Sequence, residues 1–449
     1  MAILSTEEAK KILEKALSFS KAEGCSLSLN GNDRGNIRYA RNSVSTSGED
    51  SNLSLGVNSS FGKRSGSATI NEFDDASLEK VVRRAEELAN LSPESPEFME
   101  SLGPQTYGAE SKTYSEATAK ITPEYRAQVA ADSINPAIAR DVTAAGYLQD
   151  SKGFSAIINN KGLFAYNKNT SADFTVTMRS NDGTGSGWAA RDLNDVSQLN
   201  AAETSRIAID KAVMSRNAKA IEPGKYTVIL EASASADLIR LMLNLNARTA
   251  DEGRSFLSKK GGGTKLGEKI VDERVNIYTD PWYDAAPSSP WQGDGQARKK
   301  MDLIKNGVVS TLIYDRYWAS QKNVEAIPSP GNAIMVGGTA SVEDMIKDTA
   351  KGVLVTRFWY IRAVDPQTLL FTGLTRDGTF YIENGKIKHP VKNFRFNESP
   401  IIMLNNLETL GKSERAVTSE GGGPGGGLNL MIPSMKIRDF TFSSLSDAV

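Results

Sequence analysis

Residues 217–226, NAKAIEPGKY, interrupt the chain near its midpoint, and this break constrains the fold more than any other stretch. Polar residues and the pair Pro223-Gly224 end one run of patterned sequence, and a fresh apolar strand, YTVIL, begins another. The chain has 449 residues. Single cores stop growing beyond about 250–300 residues, so two cores are required. We place the first domain at 1–220 and the second at 221–449. The expected fold class is α+β: N-terminal helices on a largely antiparallel sheet, then a C-terminal strand-rich, curved or barrel-like domain.

The first half reads as alternating local signals. Ser5 and Glu8 form a capping box ahead of a helix with Ile12, Leu13, Ala16 and Leu17 on one side, and Gly24 is its stop. CSLSLN and NIRYARNSVSTS alternate as half-buried strands do. Residues 51–71 read as a hairpin turning near Gly62, and Asp74 or Asp75 caps the next helix. Three prolines mark 92–108 as irregular. A helix is expected at about 123–145. Residues 154–180 then read as strands around an Asn-Lys-Gly turn, with Phe174, Val176 and Met178 alternating, and 200–216 reads as a helix.

Beyond the break, short strands follow one another. Asp377-Gly378 and Asn384-Gly385 read as hairpin turns, and SPIIMLNNLETLG as a helix closed by Gly411. Closure of such a sheet hides its edges, which favours a curved or barrel-like form.

Composition removes whole classes of chemistry. His389 is the one histidine and Cys25 the one cysteine. A Ser-His-Asp triad needs its histidine, and a structural or catalytic zinc ordinarily draws on several His or Cys. No internal disulfide can form. Cys25 reads as a small buried hydrophobe and His389 as a structural residue before Pro390. Net charge is −1, which argues against bulk electrostatic binding of nucleic acid. The N-terminus shows no secretory pattern and no run is long enough for a membrane span, so the expected compartment is the cytoplasm.

Three stretches invite functional readings. SKKGGGTKLGEK (258–269) lacks the Gly-Lys-Ser/Thr of a phosphate loop and reads as a turning loop. The run 421–427, with Gly422 and Gly425, either permits close approach of a partner or ligand or simply connects. Trp282, Tyr283 and Trp291 lie on a Pro-rich loop, where they either grip a peptide or partner or pin the loop to its own domain. Asp280, Asp284 and Asp294 share that loop and make a carboxylate metal site conceivable.

Five segments in order, at 54–89, 222–243, 253–281, 303–319 and 373–411, resemble the TldD/PmbA family, also called modulators of DNA gyrase. TldD-type members are cytoplasmic zinc metalloproteases acting on peptides and small unfolded proteins. The resemblance implies zinc ligands from an H-E-x-x-x-H helix and a C-terminal cysteine, with the Glu as general base. Laid on this chain, that helix falls at 240–245: the first His is Arg240, the Glu is Leu241 and the second His is Leu245. The cysteine would fall in or beside 421–427, which contains none. This matches the PmbA (TldE) branch, whose members lack the metal ligands and pair with the protease subunit. The resemblance thus implies no catalytic residue and no bound cofactor here, zinc being carried by a TldD-like catalytic paralogue. It implies a peptide or unfolded small-protein substrate, a homodimer when the chain is alone, and Arg240 as a contact for a carboxylate of substrate or partner, against an ion pair within the chain. Two rivals stand beside it: an active hydrolase with a carboxylate-bound metal, and a gyrase-modulating binding protein.

Overall fold

The computed structural model describes residues 3–419 and 428–446. Gly422 and Gly425 therefore lie outside the described residues. The first half builds one antiparallel sheet from β1 (Gly24–Ala40), β2 (Ser43–Phe61), β3 (Arg64–Ile70), β4 (Val142–Asn159), β5 (Phe164–Ser180) and β6 (Ser186–Leu193), in the order β3-β2-β1-β4-β5-β6. The Ser5 capping box starts α1 (Thr6–Ser18), and the Asp74 side chain accepts from the Ser77 amide to start α2 (Asp75–Leu91). Residues 92–115 carry no helix or strand, as the prolines imply. After the one-turn α3 (Glu116–Ala119) come α4 (Pro123–Ala139) and α5 (Ala201–Met214).

All four long helices cover one face of this sheet. Leu27 and Leu29 of β1, with Phe154 and Ala156 of β4, pack under α1 and α2, while Tyr39, Leu148, Phe174 and Met178 pack under α4 and α5. Side chains alternate across a strand, so the residues between these belong to the other face. There the sequence is polar: Ser28 and Asn30 on β1, Ser155 on β4, and Asn167, Asn169, Ser171 and Asp173 on β5.

Two local expectations are corrected here. NIRYARNSVSTS is not one strand: Arg41 and Asn42 both take positive φ (53° and 58°) and fold it into a two-residue hairpin. The helix begun at Pro123 stops at Ala139, because Asp141 turns through φ 56° and Val142 opens β4.

The second half forms a 13-stranded branched sheet. Its strands are β7 (Gly224–Leu230), β8 (Ile277–Thr279), β9 (Met301–Lys305), β10 (Val308–Val309), β11 (Asn332–Met335), β12 (Lys351–Val355), β13 (Phe358–Asp365), β14 (Leu370–Thr375), β15 (Thr379–Glu383), β16 (Lys386–Pro390), β17 (Phe394–Glu398), β18 (Leu407–Ala416) and β19 (Asn429–Leu445). β19 is the hub, pairing with β7, β11, β17 and β18. The sheet is strand-rich as expected, but no closed barrel forms among the described residues, since its path ends at β10 and β16. Phe358, Phe394, Phe396, Phe440 and Phe442 fill its core beside α6 (Ala232–Met242).

Asn384-Gly385 is the expected hairpin, joining β15 to β16. Asp377-Gly378 is not: β14 pairs with β13 and β17, and β15 with β12 and β16, so the chain there crosses between two arms of the sheet. The helix starting at Pro400 ends at Asn405, and Gly411 lies inside β18, where a Cβ would sit 2.2 Å from the Ser434 hydroxyl. Close packing rather than helix termination explains that glycine.

Candidate functional site

The polar face of the N-terminal sheet does not meet bulk solvent everywhere. It is one wall of a cavity of about 1150 Å³, whose other walls come from the end of α6, the loop at 287–298 and the strands flanking residues 417–430. Its size exceeds the ~300–1,000 Å³ of small-molecule pockets. The lining is rich in amides and hydroxyls: Asn167, Asn169 and Thr170 on the sheet wall, Asn244 and Asn429 on the others.

Helix α6 positions the residues at 240–245. Leu238, Ile239 and Met242 are fully buried, which fixes the helix against its sheet and leaves Arg240, in the last turn, on the cavity wall. Leu241 is half-buried against the core, and Leu245 falls beyond the helix end, buried and lining the cavity. Arg240 makes no hydrogen bond or ion pair among the described residues, and its Nε is buried without a partner. No intrachain ion pair of Arg240 forms among the described residues.

One turn earlier lies Asp237, wholly buried. One oxygen accepts from the Ser419 amide at 2.7 Å and the other has no partner among the described residues. Burial pushes its pKa up to about 7, against the downward pull of that hydrogen bond and of the Arg240 and Arg357 charges. Arg357 in turn donates to Asp377 at 2.6 Å and to the Ser419 hydroxyl at 3.0 Å, with its guanidinium 4.3 Å from the Trp188 ring centroid and 4.9 Å from that of Trp359. Asp377, read from sequence as a turn residue, is thus a buried counter-ion.

On the opposite wall, Asp173 and Asp192 face each other across β5 and β6. Burial, and then the neighbouring Asp192 charge, raise the Asp173 pKa to about 7. Arg415 holds Asp192 at 3.1 Å and Asn194 at 2.7 Å. Sequence reasoning missed this pair because its partners come from different strands. The signal available was the polar alternation in NKNTSAD, which leaves an acid on the face away from the helices.

The aromatic loop does not act as one cluster. Trp291 is buried against Ile157, Leu163 and Ala165 of the N-terminal sheet and also lines the cavity. Trp282 donates to the Ala109 carbonyl at 2.7 Å, and Tyr283 packs edge-on to Tyr278. The three acids separate as well: Asp284 pairs with Lys112, Asp280 with Lys300, and Asp294 caps its own turn through the Gln296 amide. Gly261, Gly262 and Gly263 all take positive φ in a tight loop with open space around them, as a turning loop requires.

The residues that stand where the resemblance lays the two metal-binding imidazoles, Arg240 and Leu245, do not fit zinc. A guanidinium and an aliphatic side chain supply no donor pair, and Leu241, at the place of the general base, carries no carboxylate. Cys25 is buried in the N-terminal core with its thiol pKa raised by desolvation, and His389 stacks on Tyr381 in β16. No three His, Cys, Asp or Glu side chains converge on a metal position among the described residues.

Comparison with known proteins gives a consistent picture. Family models described as PmbA/TldA metallopeptidase domain 1, central domain and C-terminal domain match residues 25–89, 111–216 and 223–444. A metalloprotease of Methanothermobacter thermautotrophicus is 24% identical over 297 residues, covering 59% of this chain and 62% of that protein. The chain spans just under two thirds of the length of the first curated relatives it matches. TldE from Thermococcus kodakarensis superposes with a TM-score of 0.83 at 17% identity, covering 97% of this chain and 99% of that one. A Bacteroides thetaiotaomicron protein described as a candidate modulator of DNA gyrase superposes with a TM-score of 0.84 at 20% identity, covering 98% and 100%. Among the described residues no helix is long and apolar enough to cross a membrane.

Proposed function

Because the chain belongs to the PmbA/TldD metallopeptidase family, we propose that it is a non-catalytic subunit of a TldD-type zinc metalloprotease complex. In this reading the chain holds peptide in its cavity, and a TldD-like paralogue supplies zinc and the cleavage chemistry. One observation carries it: the cavity wall at the end of α6, where the resemblance lays the metal helix, presents Arg240 and Leu245 and no imidazole, while Leu241, at the place of the carboxylate, packs against the core. The amide-rich opposite wall supports peptide binding, since Asn side chains both donate to and accept from a peptide backbone. The balanced charge of −1 gives no support to direct action on DNA. The complex is assigned to the cytoplasm.

Co-purification from native cells tests the proposal. The expected result is a TldD-like partner containing zinc and this chain containing none. Recovery of this chain without any metalloprotease partner, in fractions that cleave peptides, overturns it.

A further inference from the structure

We infer that the cavity recognises the free C-terminal carboxylate of a peptide, with the Arg240 guanidinium as its anchor. The inference rests on the reading that the cavity holds peptide, and it names the end of the peptide that is read.

Three arginines line this cavity, and two have acceptors for their guanidinium groups, although the Arg415 Nε, like that of Arg240, has none among the described residues. Arg298 donates to the carbonyls of Ser289, Trp291 and Ser329. Arg415 donates to Asp192, Asn194 and the Ala285 carbonyl. Arg240 alone of the three has no acceptor among the described residues. A half-buried cation without a partner is unfavourable, and an arriving carboxylate relieves this with two parallel charge-assisted hydrogen bonds. Asp237, one turn away, does not do so: it forms no ion pair with Arg240, is wholly buried and is bonded to the Ser419 amide.

The remaining wall sets the direction. Acids Asp173 and Asp192 on the β5–β6 side of the same cavity supply no cation for a carboxylate beyond Arg415, which Asp192 already holds, while Asn244, just beyond Arg240 in the chain, offers its amide to the last peptide bonds. Two further lining side chains that are more than nine-tenths buried, Ser288 and Trp291, also carry unpartnered polar atoms. Among the described residues the lining thus leaves hydrogen-bonding capacity as well as the Arg240 charge without a partner.

The test uses the full chain and two random-sequence heptapeptide libraries with N-terminal fluorescein, one with free-acid and one with amidated C-termini. Binding is read by fluorescence anisotropy at physiological salt, and peptide integrity by mass spectrometry. The expected result is at least tenfold tighter binding of the free acids, loss of that preference in Arg240→Gln, and partial retention in Arg240→Lys. Thermal melts of both variants confirm folding. Equal affinity for the two libraries, no binding of either, or an unchanged preference in a folded Arg240→Gln overturns the inference, as does inorganic phosphate binding as tightly as the free acids. Cleavage of the peptides by the isolated chain counts instead against the non-catalytic reading, so the two failures are distinguishable.

Discussion

Replacing Asp237 by Asn should make the protein more stable above neutral pH and abolish part of its pH dependence. Asp237 has no exposed surface, and burial lifts its pKa from 3.8 to about 7. A carboxyl whose folded value lies above its unfolded value contributes fully below pH 3.8, and that contribution is lost as pH rises through about 7. At ~1.4 kcal/mol per pKa unit, the wild-type protein loses about 4 kcal/mol across this window through the one group. Asparagine keeps an oxygen for the Ser419 amide and never ionises, so the variant has no such slope. Asp173, Glu398 and Glu414 are also shifted upward by burial, but they contribute equally to both proteins and cancel in the difference. Urea unfolding of both proteins from pH 4.5 to 8.5 gives the difference curve. It should climb with pH and level off above 7, with a rise of about 3 kcal/mol over the pH range scanned. A flat curve, or one that falls with pH, refutes the reasoning about Asp237.

Other consequences follow from packing. Phe358 lies 4.7 Å from the Phe396 ring centroid and 5.8 Å from that of Phe440 in the core of the second sheet. Phe358→Ala should cost about 3–5 kcal/mol, read from the denaturant midpoint. Gly66 faces α2 so closely that a Cβ would stand 2.2 Å from the Ala89 nitrogen and 2.5 Å from the Ala85 oxygen. Gly66→Ala should therefore destabilise by about 1–3 kcal/mol, with hydrogen exchange accelerated first in α2. Trp291→Ala should detach the 287–298 loop from Ile157, Leu163 and Ala165, and limited proteolysis should then cut there before anywhere in the sheets.

Local signals were the legible part of this fold. The Ser5–Glu8 box, the Asp74 cap and the alternation at Phe174, Val176 and Met178 each act within a few residues, so the sequence displays them directly. The errors arose where distant contacts override local preference. Arg41 and Asn42 turn without glycine because β1 and β2 must pair from Gly24 to Ser60. Gly411 looks like a helix stop but serves the close approach of Ser434 and Ala340. Asp377-Gly378 looks like a hairpin, yet its acid is drawn inward to neutralise Arg357. The cavity itself was invisible, since its walls run from Ser28 to Leu430 and meet only in three dimensions. Arg240 was the exception: a lone cation in an apolar helix is conspicuous in one dimension, and its position on the cavity wall gives it a setting the sequence could not supply.

The central claim is that a chain with Arg240, Leu241 and Leu245 at the family's metal helix neither cages zinc nor cuts peptide by itself. Metal analysis of the purified chain after saturation with zinc and desalting, run alongside a peptidase assay on the same sample, addresses it most directly. The account predicts far less than one zinc per chain and no cleavage; one retained zinc per chain with peptide hydrolysis would contradict it.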